Sequence, residues 1–228
     1  MSGAARRRTS PKREAAGPPG RTAALSRCRQ CPRLAAFRDE IKDRHPEYYC
    51  RPVPMFGDES ARLVIVGLAP GLHGANATGR PFTGDYAGIL LYETLHRLGI
   101  ANRAQSLAVG DGLVLTGARI TNAVKCVPPA NRPTAEEIRT CAPYLNVELA
   151  ALPEGGVIMA LGRIAHEAVL RAFGAPLARH RFAHGARHEV AGRIMWDSYH
   201  CSRYNTQTRR LTPTMFEEVL RAAAREVS

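Results

Sequence analysis

The sequence predicts an α/β fold, a three-layer αβα sandwich around a central parallel sheet of about four strands. Apolar runs of strand length alternate with stretches of helical period along the 228-residue chain, and that alternation implies one parallel sheet covered on both faces. The composition, 45% hydrophobic and 23% charged, supplies one sizeable core and is too apolar for a disordered chain. The longest apolar runs fall far short of a membrane span. The start, MSGAARRRTS, has no apolar segment behind its arginines, so it does not read as a secretory signal and the chain reads as cytoplasmic.

Residues 1–24 are rich in Arg, Pro, Gly and Ala without periodicity and read as a disordered basic arm ahead of a single domain over 25–228. Pro32 to Lys42 reads as a helix, with Leu34, Phe37 and Ile41 at helical spacing. Leu63 to Val66 is a short continuous apolar run closed by Gly67, the pattern of a buried parallel strand. Asp85 opens a helix with Ile89, Leu90 and Leu95 on the expected inner face, and Arg119 to Val124 reads as the second strand. Thr134 and Glu137 form a capping box for a helix whose stripe is Ile138, Cys141, Leu145 and Leu149. Gly156 to Leu161 is a third strand, with Gly162 starting the next helix, and Ile194 to Tyr199 is a fourth. Thr212-Pro213 opens a last helix with Phe216, Val219 and Leu220 inward.

In such sheets ligands bind outside the carboxyl ends of the strands. The unusual segments lie there: GLAPGLHGANATGRPFTGDYAG after the first strand, Asn122 at the second, and SYHCSRYNTQTRRLT after the fourth. The glycine run lets backbone approach a ligand closely but lacks the G-K-[ST] of a nucleotide loop.

The net charge is +12, of which residues 1–24 carry +5 and the remaining chain +7. A second basic block, Arg179 to Arg210, holds seven arginines against Glu189 and Asp197. A basic folded body suits a polyanion, most simply nucleic acid, and equally a solvated basic surface. The six cysteines do not read as a disulfide framework in a cytoplasmic chain. Cys28-x-x-Cys31 with Cys126 and Cys141 offers four thiolates, which suit an iron–sulfur cluster or structural zinc. Cys50 and Cys201 read as ordinary cysteines.

Gly67-Leu-Ala-Pro-Gly71 continuing to Gly79-Arg-Pro-Phe-Thr-Gly-Asp85, and His200-x-Ser202-x-x-Asn205-Thr206 followed by Arg210-Leu-Thr212, together resemble the uracil-DNA glycosylase superfamily. The specific likeness is to its type-5, iron–sulfur-containing bacterial and archaeal branch, and it spans roughly residues 27–225. CVPPANRPTAEE and the four cysteines fit the same branch. Two positions depart from its pattern: Ala77, where Arg is more usual, and Arg209, where Gly is common before Arg-Leu-Thr. At Arg209 the departure puts bulk where a close backbone approach is expected.

The resemblance implies a monofunctional repair glycosylase that hydrolyses the N-glycosidic bond of flipped uracil, and of other deaminated or damaged bases such as hypoxanthine, in double- or single-stranded DNA. It implies a monomer carrying a [4Fe-4S] cluster on Cys28, Cys31, Cys126 and Cys141, working in the cytoplasm at the nucleoid. A base taken out of the duplex needs a stacking surface, an edge reader, a donor for the developing oxyanion and a carboxylate near the sugar. Phe82 is the expected platform, exposed in the pocket, although a phenylalanine is also ordinary core. Asn122 is the expected reader, because a carboxamide both donates and accepts. His200 is the expected oxyanion donor. Type-4 relatives place a polar residue early in the first motif, where this chain has Leu68 and Ala69. The water-orienting task therefore falls to Asp85, which also reads as a helix N-cap. Gly67, Ala69 and Gly71 are expected to line the substrate, and Ser202, Arg203, Tyr204 and Asn205 to form a loop entering the DNA groove. The alternatives are a non-catalytic or covalently trapping DNA-binding member of the superfamily, and more remotely a metal-bearing RNA-binding module.

Overall fold

A computed structural model describes residues 24–227. The expected basic arm, residues 1–24, lies outside the described residues except for Ala24. The helices are α1 (Pro32–Arg44), α2 (Ala75–Thr78), α3 (Tyr86–Arg97), α4 (Ala135–Ala150), α5 (Arg163–Ala172), α6 (Arg203–Gln207) and α7 (Pro213–Arg225). The strands are β1 (Phe56–Gly57), β2 (Leu63–Gly67), β3 (Ala118–Asn122), β4 (Val157–Leu161), β5 (Arg187–Val190) and β6 (Arg193–Ser198). They form one sheet in the order β1-β3-β2-β4-β6-β5.

The four inner strands are parallel, as the apolar runs predicted, and β1 and β5 add antiparallel edges that they did not. Successive residues of a strand face opposite sides, and the core divides accordingly. Leu63, Ile65, Val157 and Met159 pack with Leu91 and Leu95 of α3 and Phe216 and Leu220 of α7. Val64, Val66, Ile158 and Ala160 pack with Leu145 and Leu149 of α4 and Ala165 and Val169 of α5. Burying one such side chain contributes about 1.5–3 kcal/mol, so the two cores clamp the sheet from both sides. In α3 Leu90 and Leu95 are buried as expected, together with Gly88, Leu91, Tyr92 and Thr94, whereas Ile89 is 54% exposed rather than inward. Among the described residues no helix is long and apolar enough to cross a membrane.

The capping box of α4 is present. Thr134 Oγ1 accepts from the Glu137 amide, and Glu137 Oε2 accepts from the Thr134 amide. The same Glu137 carboxylate takes two 2.7 Å hydrogen bonds from Arg33, which ties α1 to α4. The segment after β6, expected as a loop, contains the short helix α6, because Ser202 caps it by accepting from the Asn205 amide. It closes on Arg209 at φ +57°, a left-handed conformation that glycine adopts freely and a side-chain-bearing residue adopts at a cost. That backbone angle, rather than a close approach, is the reason glycine suits the position. Arg209→Gly is expected to stabilise the fold by a few tenths to about 1 kcal/mol, read as an upward shift of the urea midpoint at unchanged slope.

Candidate functional site

The parallel register of β2 and β3 places Gly67 directly opposite Asn122 at the carboxyl ends of both strands. A β-carbon at Gly67 would lie 2.4 Å from Asn122 Oδ1 and 2.6 Å from Phe82 Cζ. The missing side chain is therefore what allows Asn122 and Phe82 to meet. Asn122 is buried, and its Oδ1 has no hydrogen-bond partner. A buried acceptor left unpaired is costly, so this atom marks a place where a donor belongs.

Phe82 sits at φ +54° in the turn before α3. It is only 5% exposed, so the platform expected in the open lies beneath the surface and belongs to the core as well. Its ring stacks on that of His200, with centroids 5.8 Å apart and planes inclined by 27°. His200 follows β6, and desolvation lowers its pKa to about 4, so at neutral pH the imidazole is uncharged and carries one N–H.

Asp85 is the N-cap of α3: its Oδ1 accepts from the Gly88 amide at 3.0 Å. Its other oxygen faces the glycines of the first motif, where a β-carbon would lie 2.5 Å away at Gly74 and 3.2 Å away at Gly71. Burial raises its pKa, and the Gly88 and Ala87 amides oppose that rise. Gly67, Phe82, Asp85, Asn122 and His200 thus gather around one end of the sheet.

The other expected residues are placed less uniformly. Ala69 packs against the cluster of Leu34, Val124, Cys126 and Cys141. Ser202 is spent as the α6 cap, and Asn205 turns inward, its Nδ2 donating to the His200 carbonyl at 2.8 Å. Arg203 and Tyr204 point outward, with Tyr204 70% exposed and the Arg203 guanidinium over the Tyr86 ring. Of the basic block, Arg187 pairs with Glu226 and Glu189, and Arg193 donates to the Leu152 carbonyl. Arg179, Arg181, Arg209 and Arg210 remain exposed.

Cys28, Cys31, Cys126 and Cys141 line one cavity, with Arg38 and Tyr144. No three of their sulfurs lie mutually within 4.8 Å; among the described residues that spacing occurs only at His166, His188 and Asp197. The latter three form a separate buried network, in which both Asp197 oxygens meet an imidazole nitrogen, at 2.8 and 2.9 Å. The network pins the segment before β5, because His166 Nε2 also lies 2.9 Å from the His180 carbonyl oxygen. Arg38 is 4% exposed; one of its nitrogens donates to the Cys28 carbonyl and its Nε has no partner.

A family model described as the uracil DNA glycosylase superfamily matches residues 54–224. The chain belongs to the uracil DNA glycosylase superfamily. Curated relatives place it in the type-5 branch. The type-5 uracil-DNA glycosylase of Thermus thermophilus is 52% identical over 207 residues, covering 88% of this chain and 94% of the relative. That of Pyrobaculum aerophilum is 46% identical over 204 residues, covering 88% and 89%. The Mycobacterium bovis protein of the same name is 45% identical over 210 residues, covering 88% and 78%. The family model spans the sheet and the motif residues Gly67, Phe82, Asp85, Asn122 and His200.

The lowered pKa of His200 has a sign that can be checked. A histidine whose folded pKa lies below its unfolded value of 6.5 favours folding above that value and opposes it as pH falls toward 4. Imidazole NMR signals of His200 are expected to titrate near 4 and to show one neutral tautomer at pH 7. The fold should lose stability between pH 6.5 and 4 less steeply in His200→Gln.

Proposed function

We propose that this chain is a monofunctional glycosylase that releases uracil from DNA by hydrolysis, with other deaminated bases such as hypoxanthine as further substrates. The observation that carries the proposal is the orphaned Asn122 Oδ1, buried beside Gly67 and Phe82, where a flipped base would supply the missing donor. The names of the type-5 relatives support the same reading.

In this reading the flipped uracil lies against the Phe82 ring, and its N3–H donates to Asn122 Oδ1 while the Asn122 amide donates to O4. Cytosine presents the opposite pattern at that edge. As the glycosidic bond lengthens, charge grows on the base oxygen beside the glycosidic nitrogen. Neutral His200 donates its N–H there, an interaction that strengthens only as the bond breaks. Asp85 divides its labour, one oxygen capping α3 and the other facing the sugar side, where it stabilises the oxocarbenium-like sugar and orients the attacking water. Exposed Arg203, Arg209 and Arg210 meet phosphates, which sets affinity rather than base choice, on duplex or single-stranded DNA.

The cysteine cavity fits a [4Fe-4S] cluster. Among the described residues no three of its thiols lie within 4.8 Å of one another, whereas a 2.3 Å Zn–S bond gives a single zinc site edges of roughly 3.8 Å. Arg38, buried and without a carboxylate partner among the described residues, gains its counter-charge when four thiolates bind a cluster of net negative charge. When bound, the cluster supplies a cross-link joining α1, the end of β3 and α4. Cys28, Cys31, Cys126 and Cys141 hold it, and Ala69 packs against the core cluster that contains Cys126 and Cys141, so the first motif keeps its position.

Asp85→Asn retains a capping oxygen and removes the charge. Single-turnover uracil release is expected to fall by about 10²-fold or more, and the acid limb of the pH–rate profile, set above the ordinary carboxylate value because the pKa of Asp85 is raised, should disappear. Release at the parental rate would leave Asp85 as a cap alone. Elemental analysis of anaerobically purified protein is expected to give about four irons per chain and absorbance near ~400 nm, both lost in Cys28→Ala. Stoichiometric zinc would overturn the cluster assignment.

A further inference from the structure

Residues 103–113 were assigned nothing by the sequence, yet their one carboxylate reaches the Phe82 turn. Arg80 is 2% exposed and makes a bidentate pair with Asp111, at 3.0 and 2.6 Å. The remaining guanidinium edge donates from Nε to Thr83 Oγ1 at 2.9 Å. Thr83 Oγ1 also lies 2.6 Å from Ser106 Oγ and 3.2 Å from the Pro81 carbonyl. The Gly84 amide donates to the Ser106 carbonyl, and the Tyr92 hydroxyl donates to the Pro81 carbonyl at 2.8 Å. Phe82 therefore stands between two residues, Pro81 and Thr83, that are each fixed by hydrogen bonds to the same assembly.

Asp111 does more than balance Arg80. Its two oxygens accept three backbone amides as well, from Leu107, Ala108 and Leu113 at 2.9, 3.3 and 2.9 Å. One carboxylate thus organises its own loop and grips the guanidinium that holds the turn. The turn needs such a grip, because Phe82 holds φ +54°, and a non-glycine residue persists there only when its surroundings over-determine it. The turn also lies directly against the first turn of α3, since a β-carbon at Gly88 would fall 1.8 Å from the Phe82 carbonyl.

We propose that Asp111 and Arg80 are positioning residues for base release: through Thr83 and Ser106 they hold the Phe82 ring at the height and tilt at which it faces Asn122 across Gly67. The inference rests on the proposed role of Phe82 and adds two residues that touch neither base nor sugar. The pair acts on the placement of the base rather than on DNA affinity, because its groups face inward and the exposed arginines lie elsewhere.

The test is a double-mutant cycle in the full chain carrying its cluster, with Phe82→Ala, Asp111→Asn and the combination. It reads single-turnover uracil release together with affinity for a duplex bearing an abasic-site analogue. Asp111→Asn is expected to slow release by about 10–100-fold, the scale of a small misplacement, with abasic-duplex affinity within about twofold of the parent. In the Phe82→Ala background the same substitution should cost no more than about twofold, since coupled residues are not additive. Parental release by Asp111→Asn, or a full penalty in both backgrounds, overturns the positioning role. Parental release by Phe82→Ala overturns the stacking role first, and with it the route proposed for Asp111. Should Asp111→Asn fail to fold by circular dichroism, Ser106→Ala takes its place in the cycle. It removes one contact of Thr83 and is expected to slow release by about 3–10-fold, with the same loss of effect in Phe82→Ala and the same overturning outcomes.

Discussion

There is no room for a side chain at residue 67, and the rest of the site follows from that. The β2–β3 register brings Gly67 level with Asn122, while the turn before α3 brings Phe82 into the same space. A methyl group there would collide with the carboxamide on one side and the ring on the other. Register in a parallel sheet is fixed by which face each residue buries. The two cores that sort Leu63 and Ile65 from Val64 and Val66 therefore set, several residues away, the distance between Asn122 and Phe82.

The far side of the first motif is held by a different kind of chemistry. The amides of Ala123 and Val124 donate to the carbonyls of Gly67 and Leu68, and Ala69 continues into the cysteine cluster of α1, the β3 end and α4. The motif thus runs between an apolar sheet end and a thiol-lined cavity. A salt-bridged cap, Glu137 with Arg33, fastens the two helices that bring the cysteines together. The residues flanking Phe82 are held by Arg80 and Asp111 through Thr83, so backbone hydrogen bonding, packing and a buried ion pair each fix a separate part of the same region.

Much of this was legible in the chain. The four inner strands are runs of apolar residues, and the caps at Asp85, Thr134 and Thr212 announce their helices by residue type. The edge strands were hidden for physical reasons. β1 is two residues long, and β5 reads Arg-His-Glu-Val, which carries no apolar alternation to betray it. Ile89 misled because periodicity fixes the spacing of a helical stripe and not its phase. The motif residues Asn122, His200 and Phe82 were named from their place at strand ends and from likeness, whereas burial of Phe82 and the inward turn of Asn205 are products of packing that no spacing records. Asp111 looked like any aspartate in a glycine-rich turn, and only the fold shows that its partner is a guanidinium 31 positions away.

The edges that escaped notice also govern how copies of the molecule treat one another. A sheet with a long, flat, bare border is a template on which neighbours can zip together. Here one border is a two-residue strand and the other presents the charged side chains of Arg187 and Glu189 beside its turn. Among the described residues the sheet therefore offers no long apolar edge on which a second copy of the chain could add a strand.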